Sequence, residues 1–384
     1  MDNVKSIYYW APFIDKVATI RAVYNSVHSI NKYSKGQFKP RIINVFGEWE
    51  KNQFFNEQKN VFYKLTNLNF INSFSSNGFL RSRVKYLLIF FICLIPLKNF
   101  LSKQKPDFLI VHLITSLPLF LNTLFNFKTK FILRISGKPK LNIIRSIFWK
   151  ISLKKVYKIT FPTKETLEHF KNLNIANQSK FELLYDPVLN VNEINKKIKY
   201  PIKESFLTKN NFYLSVGRLT KQKNYIFLIN QFKTIIKNNK KDYKLVIIGS
   251  GEDELLLKKL INQNNLSQNI YLLGYKENVY NYMNNCKAFI LTSLWEDPGF
   301  VIVESIFCNA TVLSSDCSSG PKEILSDNKG LLFKNNNKKD FISKFQLLND
   351  LTRDEEKKLK INAKKFVKNF SLIRHFNKIK KILG

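Results

Sequence analysis

The chain alternates short apolar runs with longer amphipathic stretches, and few architectures accept that rhythm. It is clearest in the second half. NFYLSV (residues 211–216) reads as a buried strand that stops at Gly217. A helical stretch follows over 224–237, and YKLVIIG (243–249) is the next strand. Ser250 or Gly251 can begin the helix after it, whose first-turn acids suit the helix dipole. NIYLLG (269–274), a short helix near 279–284, KAFILTS (287–293), a helix over 300–308 and ATVLSS (310–315) continue the series, with LLF (331–333) as a sixth strand candidate. Apolar strands alternating with helices imply a parallel sheet covered on both faces. In such sheets ligands sit at the carboxyl ends of the strands.

The first half repeats the rhythm with RIINVFG (41–47), DFLIVHL (107–113), KFILRIS (130–136) and KITFPT (158–163). At 384 residues two domains are expected. The boundary is expected in the polar segment 187–209, which lacks a sustained apolar pattern. This gives a first domain over 1–200 and a second over 201–365. The chain is helical and basic from about 354, and its last part, 366–384, is placed to return to the first domain. Two doubly wound α/β domains joined in this way would face each other across a cleft.

Lys+Arg 63 outnumber Asp+Glu 28, a net charge of +35. Between residues 81 and 164 there are 17 basic residues and one acid, Asp107. Such a field favours polyanions, whether nucleic acid, anionic lipid or phosphorylated substrate. A lysine- and asparagine-rich chain from an AT-rich genome would also carry such lysines on solvated faces. No RNA- or DNA-binding motif accompanies the charge. In RSRVKYLLIFFICLIPLKNF (81–100) an apolar run over 86–97 lies between Arg81, Arg83 and Lys85 on one side and Lys98 on the other. The run is shorter than the roughly 20 residues that span a bilayer and contains Pro96. It is either a buried helix of the first domain or an apolar element dipping into one leaflet, which its cationic flanks would suit. Cys93, Cys286, Cys308 and Cys317 form no CxxC pair, so neither a disulfide framework nor a zinc site is expected, and a reducing cytoplasm fits. MDNVKSIYYWAPF lacks the pattern of a secretory signal peptide.

Three segments carry chemistry. In SVGRLTKQKN a glycine follows a strand, and Arg218 and Lys223 sit on the turn into a helix. Two fixed cations there can stabilise charge building on a leaving diphosphate. An ordinary strand-to-helix turn with solvated cations would read the same. In SLWEDPGFVIVE, Glu296 lies in a strand-end loop and Glu304 within the following apolar helix. The helix start, over Pro298, Gly299, Phe300 and Val301, offers unpaired N–H groups to an anion or polar ligand. A buried Glu304 needs a partner, either ribose hydroxyls or a structural hydrogen bond. SSDCSSGPKEIL is a polar loop on the same sheet edge, and GSGEDE a glycine turn of weaker specificity.

GRLTKQKN, then the two glutamates of EDPGFVIVE, then SDCSSGPKEIL together resemble the family 4 retaining glycosyltransferases of GT-B fold. The likeness is to bacterial members that build surface polysaccharide or lipid-linked oligosaccharide, and it is specific over 211–325. WAPF, RISGKPKL and PTKETLEHF extend it more weakly into the first half. The resemblance implies two Rossmann-like domains facing a cleft and a nucleotide-sugar donor, expected to be UDP-linked. It implies an acceptor that is lipid-linked or a growing glycan, and a place on the anionic inner face of the plasma membrane. It implies that Arg218 and Lys223 bind the diphosphate and assist its departure, with Gly217 beside them. Glu296 would bind hydroxyls of the donor sugar and act in catalysis, and Glu304 would hold the ribose. The backbone of Pro298, Gly299, Phe300 and Val301 would lie near sugar and phosphate, and Gly249, Gly251, Gly274 and Tyr275 would flank the base. No metal and no cofactor beyond the donor are expected.

The chain departs from that pattern in places. The loop after Glu296 usually reads Gly-Phe-Gly and here reads Asp297-Pro298-Gly299-Phe300. Many relatives carry a histidine at the end of the strand that here reads FILRISG, where this chain has Ser136. Arg134 and His112 are the other candidates there, and His112 is equally readable as a satisfied core histidine. The N-terminal glycine-rich turn of the family is replaced by PFIDKVAT (12–19). A GT-B sugar phosphorylase or epimerase, and a basic nucleic-acid-binding protein, are the competing readings.

Overall fold

The computed structural model describes residues 4–14, 18–50, 53–67, 79–139, 141–238 and 242–384. Residues 15–17 of the PFIDKVAT segment, Lys140 of RISGKPKL and the side chain of Arg81 lie outside the described residues. The chain divides into two units, Met1–Pro187 with Leu372–Gly384, and Val188–Ser371. The division precedes the expected boundary at 200 because segment 187–209, read as patternless, holds a helix whose single buried residue is Ile194.

The first unit contains β1 (Lys5–Trp10), α1 (Ala18–Tyr33), β2 (Phe38–Asn44), α2 (Gln53–Glu57), β3 (Phe62–Lys64), α3 (Phe79–Gln104), β4 (Phe108–Val111), α4 (Ser116–Leu124), β5 (Lys130–Arg134), α5 (Ile143–Ser152), β6 (Lys158–Phe161), α6 (Lys164–Asn172) and β7 (Phe181–Leu183). Its sheet is parallel, in the order β3-β2-β1-β4-β5-β6-β7. Alternate residues of each strand face opposite sides. Tyr8, Trp10, Leu109, Val111, Phe131 and Leu133 pack with α3, α4 and α5. Ile7, Tyr9, Phe108, Ile110 and Ile132 pack with α1 and the C-terminal helix.

The second unit contains α7 (Val191–Ile198), β8 (Phe212–Val216), α8 (Tyr225–Asn238), β9 (Lys244–Ile248), α9 (Glu254–Gln263), β10 (Ile270–Leu272), α10 (Tyr280–Asn285), β11 (Ala288–Leu291), α11 (Phe300–Phe307), β12 (Thr311–Ser315), α12 (Pro321–Leu325), β13 (Leu331–Phe333), α13 (Lys338–Asp350) and α14 (Arg353–Val367). These strands form a second parallel sheet, in the order β10-β9-β8-β11-β12-β13. The two doubly wound sheets are those the alternation predicts. The last stretch, read as one helix, is two. α14 ends at Val367, and after a short 3-10 turn α15 (Leu372–Leu383) belongs to the first unit.

The apolar run 86–97 lies inside a helix of 26 residues that continues through Pro96. Residues Arg83–Gln104 of it are long and apolar enough to cross a membrane by length and composition. Its row Lys85, Ile89, Cys93, Leu97 and Leu101 is nonetheless buried. Four of these, all but Lys85, belong to the first unit's core.

α15 is tied to α1 by a directed chain of buried hydrogen bonds. His375 Nδ1 lies 2.9 Å from the Tyr185 carbonyl, which can only accept, so Nδ1 carries the proton. Nε2 then accepts from Ser26 Oγ at 2.7 Å, and Ser26 Oγ accepts from Tyr9 Oη at 2.7 Å. A proton added at Nε2 would require the Ser26 and Tyr9 hydroxyls to reverse their donation. Burial accordingly lowers the His375 pKa to about 4, from about 6.5 when unfolded. A depressed histidine stabilises the fold fully above its unfolded pKa, and that stability drains as pH falls toward the folded one. We expect this residue to contribute a loss of about 3 kcal/mol between pH 7 and pH 4. Urea unfolding midpoints at both pH values test it. His375→Gln, which does not titrate, should show a shallower pH slope; an unchanged slope would exclude His375 as its source.

Candidate active site

The candidates of the second unit lie on the segments leaving the carboxyl ends of β8, β9, β10 and β11, with Glu304 inside α11, the helix that follows β11. β8 and β11 are neighbours in the sheet but not in sequence, so the strand order reverses between them. Doubly wound sheets take their ligands at that reversal.

The loop after β8 makes one 3-10 turn, Lys221–Lys223, and Asn224 ends it in the left-handed conformation at φ 55°. This aims Lys223 across at the loop after β11. Its Nζ lies 2.5 Å from Glu296 Oε1, with the two side chains 12% and 7% exposed. Ser293 Oγ donates to the same oxygen at 2.5 Å. An ammonium and a hydroxyl thus offset the cost of burying this carboxylate. Gln222 joins the two loops again. Its Nε2 donates to the Trp295 carbonyl at 2.9 Å, and its own carbonyl accepts from Leu294 N at 2.8 Å. Arg218 is exposed, with Nη2 at 3.4 Å from Gln222 Oε1. The two cations therefore differ: Lys223 is locked to a carboxylate, and Arg218 holds its guanidinium at the surface.

The glycines have mechanical causes. A Cβ at Gly217 would stand 3.1 Å from Lys223 Cε and 3.0 Å from Tyr225 Oη, so the glycine leaves room for the lysine stem. A Cβ at Gly249, where φ is +151°, would meet the Gly217 carbonyl oxygen at 1.8 Å, and one at Gly251 would meet that of Leu219 at 2.3 Å. Gly249 and Gly251, read from the sequence as flanking a base, here let two backbones touch. Gly320 does the same for the loop after β12, whose Cβ would meet the Pro298 carbonyl oxygen at 1.9 Å.

Pro298 follows a cis peptide bond, and Gly299, at φ 84°, begins α11. Phe300 and Val301 are its first two residues, half-buried, where helix geometry leaves amides without intrahelical partners. Glu304 lies in the second turn, 8% exposed, and accepts from Tyr280 Oη on α10 at 3.0 Å. The structure thus brings Lys223, Ser293 and Glu296 together and sets Glu304 against a tyrosine. Tyr275 is 75% exposed after Gly274, whose carbonyl accepts from Gly249 N at 2.9 Å.

In the first unit, His112 immediately follows β4 and is buried, with no hydrogen-bond partner at Nδ1. Burial, and then the nearby Arg134 guanidinium, hold its pKa well below the usual histidine range. Arg134 is itself engaged: Nη2 and Nε reach Asp186 at 2.5 and 3.3 Å, and Nη1 donates to the Ile135 carbonyl at 2.6 Å. Of the three first-unit candidates only Ser136 is exposed.

Sequence reasoning did not single out Ser293, Gln222, Tyr280 or Asn335. Asn335 Nδ2 donates to the Leu294 carbonyl at 2.9 Å, while its backbone N donates to Asp316 at 2.7 Å, joining the loops after β11 and β12. Ser293 was open to inspection, as a hydroxyl three residues before Glu296. The other three act through tertiary neighbours. Among the described residues no three His, Cys, Asp or Glu side chains form a metal-binding group.

The model of the family Glycosyl transferases group 1 matches residues 196–366. A Campylobacter jejuni protein, N-acetylgalactosamine-N,N'-diacetylbacillosaminyl-diphospho-undecaprenol 4-alpha-N-acetylgalactosaminyltransferase, is 32% identical over 265 residues, 65% of this chain and 68% of that relative. The chain belongs to the group 1 glycosyltransferase family. An uncharacterised glycosyltransferase of Methanocaldococcus jannaschii is 32% identical over 242 residues, so the match spans only 58% of each. A solved Staphylococcus aureus TarM mutant, in complex with fondaparinux, alpha-GlcNAc-glycerol and UDP, superposes with a TM-score of 0.73 at 13% identity over 99% of this chain and 100% of that one. The fold is GT-B, two Rossmann-like domains, as that likeness shows. The family match takes in every second-unit candidate and leaves His112, Arg134 and Ser136 outside.

Proposed function

We propose that the chain is a retaining glycosyltransferase of family 4. It moves a sugar from a nucleoside diphosphate, with uridine as the base, to a lipid-linked or growing glycan acceptor at the inner face of the plasma membrane. The observation that carries this is the Lys223–Glu296 contact at the β8/β11 reversal, with Arg218 and the start of α11 on the same edge. Lys223 and Arg218 stabilise the diphosphate as the bond from sugar C1 to phosphate oxygen breaks. They take the charge that a divalent ion takes elsewhere, so the reaction is proposed to be metal-independent. Glu296, fixed by Lys223 and Ser293, orients the sugar through its hydroxyls, and Glu304 holds the ribose. The acceptor oxygen bonds to C1 on the face the diphosphate leaves, and its proton passes to the departing phosphate oxygen.

Uridine and retention are supported by two relatives. The TarM complex contains UDP and alpha-GlcNAc-glycerol, and the Campylobacter enzyme is named for an alpha linkage on a diphospho-undecaprenol-linked acceptor. Common UDP-hexoses carry the sugar in alpha linkage, so an alpha product means retention.

Thermal unfolding with UDP, GDP, ADP and CMP tests the reading. A nucleotide that binds only the folded state adds about 2.7 kcal/mol at a hundredfold excess over Kd. UDP is expected to stabilise the chain, and Glu304→Gln to lose most of that shift while melting normally without ligand. If no nucleotide stabilises the chain, with or without liposomes, the transferase reading fails.

A further inference from the structure

The first unit presents two rows of apolar side chains to solvent. On α3 the row opposite the buried one is Arg83, Leu87, Phe91, Ile95 and Asn99, four residues apart. Leu87, Phe91 and Ile95 are 59%, 68% and 65% exposed. On α5, Ile143, Ile144, Ile147 and Ile151 are all more than half exposed. Single exposed hydrophobes are ordinary, but aligned rows on two helices are not. Cys93 and Leu97 of α3 and Trp149 of α5 pack into one cluster on one face of the sheet, so both outer rows point away from the same side of the unit.

Charge names the occupant. Arg83 on α3 and Lys150 and Lys154 at the end of α5 are exposed beside the rows. The segment 81–164 holds 17 basic residues and one acid. That acid, Asp107, is engaged at the start of β1, accepting from Ser6 N and Oγ at 2.8 Å each. A second copy of the chain would bring the same cations against themselves across a two-fold contact. An anionic bilayer complements both features, since apolar rows enter the acyl boundary while Lys and Arg meet the headgroups.

We propose that the outer faces of α3 and α5 form one membrane-docking surface that seats the first unit on an anionic lipid leaflet. The inner row of α3 stays in the core, so the helix lies along the leaflet without crossing it. The inference rests on the preceding reading in one respect, that a lipid-linked acceptor requires contact with the bilayer.

The test is co-flotation of the full chain with vesicles of phosphatidylcholine alone, or with about a third phosphatidylglycerol. The parent chain should float with the anionic vesicles only. Phe91→Asp/Ile95→Asp and Ile144→Asp/Ile147→Asp should each lower partitioning by at least about tenfold. Lys150→Glu/Lys154→Glu should do so in a salt-dependent way. Unchanged melting temperatures show that these exposed substitutions leave the fold intact. Failure of the parent to bind, or equal binding by parent and apolar variants, overturns the proposal. So does a dimer in light scattering that the same variants dissociate, which would assign the face to a second copy. UDP stabilisation is read on the same samples: its absence with vesicle binding intact strikes the transferase reading and leaves the surface standing.

Discussion

A Lys223→Ala variant is expected to turn over about 10²–10³-fold more slowly than the parent chain, as preorganised charge stabilisation is lost from the transition state. The geometry makes the experiment delicate. Removing the ammonium leaves the Glu296 carboxylate 7% exposed, with Ser293 as its remaining side-chain donor. Breaking a buried pair from one side costs about 3–5 kcal/mol, so lost activity could come from lost fold. Two controls separate the causes. Lys223→Met with Glu296→Gln removes both charges and should recover most of the melting temperature but none of the turnover. Arg218→Ala touches an exposed side chain held by a single long bond to Gln222, so it should slow turnover with no change in melting. Turnover is read as release of the nucleoside diphosphate that stabilises the parent. Near-parental rates in Lys223→Ala would remove the lysine from the reaction.

The pair also marks where sequence reading stops. Lys223 and Glu296 are far apart in the chain, and strand-end logic places each on the same sheet edge, because the apolar runs before Gly217 and Ser293 are unbroken. That they meet, with Ser293 on the same oxygen, depends on the left-handed Asn224 and on β8 lying beside β11, neither of which has a local signature. The missed strands have similar causes. β1 is central in the first sheet, yet KSIYYW is short, begins with a lysine and runs into Ala-Pro, so it reads as a stray apolar piece. β3 and β7 have three residues each and sit at the sheet's edges, too short for any period to show. α3 differs, because each of its two readings rests on a real row of side chains. Its apolar outer row makes the helix look like a choice between core and membrane, whereas its inner row is already core.

Gly249→Ala should cost the second unit several times more stability than Gly274→Ala, and the contrast decides what the glycine turn is for. Both positions have positive φ, +151° at Gly249 and +66° at Gly274, so both replacements carry backbone strain. At Gly274 nothing lies within 4 Å of the added carbon. The cost there is the left-handed penalty alone, about 1–2 kcal/mol. At Gly249 the added carbon would sit 1.8 Å from the Gly217 carbonyl oxygen, which is backbone and has no rotamer to yield. The same stretch of backbone carries the Gly217 N to Ile248 O and Leu219 N to Ser250 O bonds, at 3.0 and 2.9 Å, so separating the loops breaks the bonds that hold Arg218 between them. We expect a loss above about 3 kcal/mol, in the range of severe core substitutions, read as the urea midpoint of the second unit. Were Gly249 instead conserving space for a nucleotide base, the alanine variant would melt like the Gly274 one and lose only the UDP shift. Equal melting of the two variants would therefore return Gly249 to the donor site, and a large gap fixes it as the contact that shapes the loop beneath Arg218.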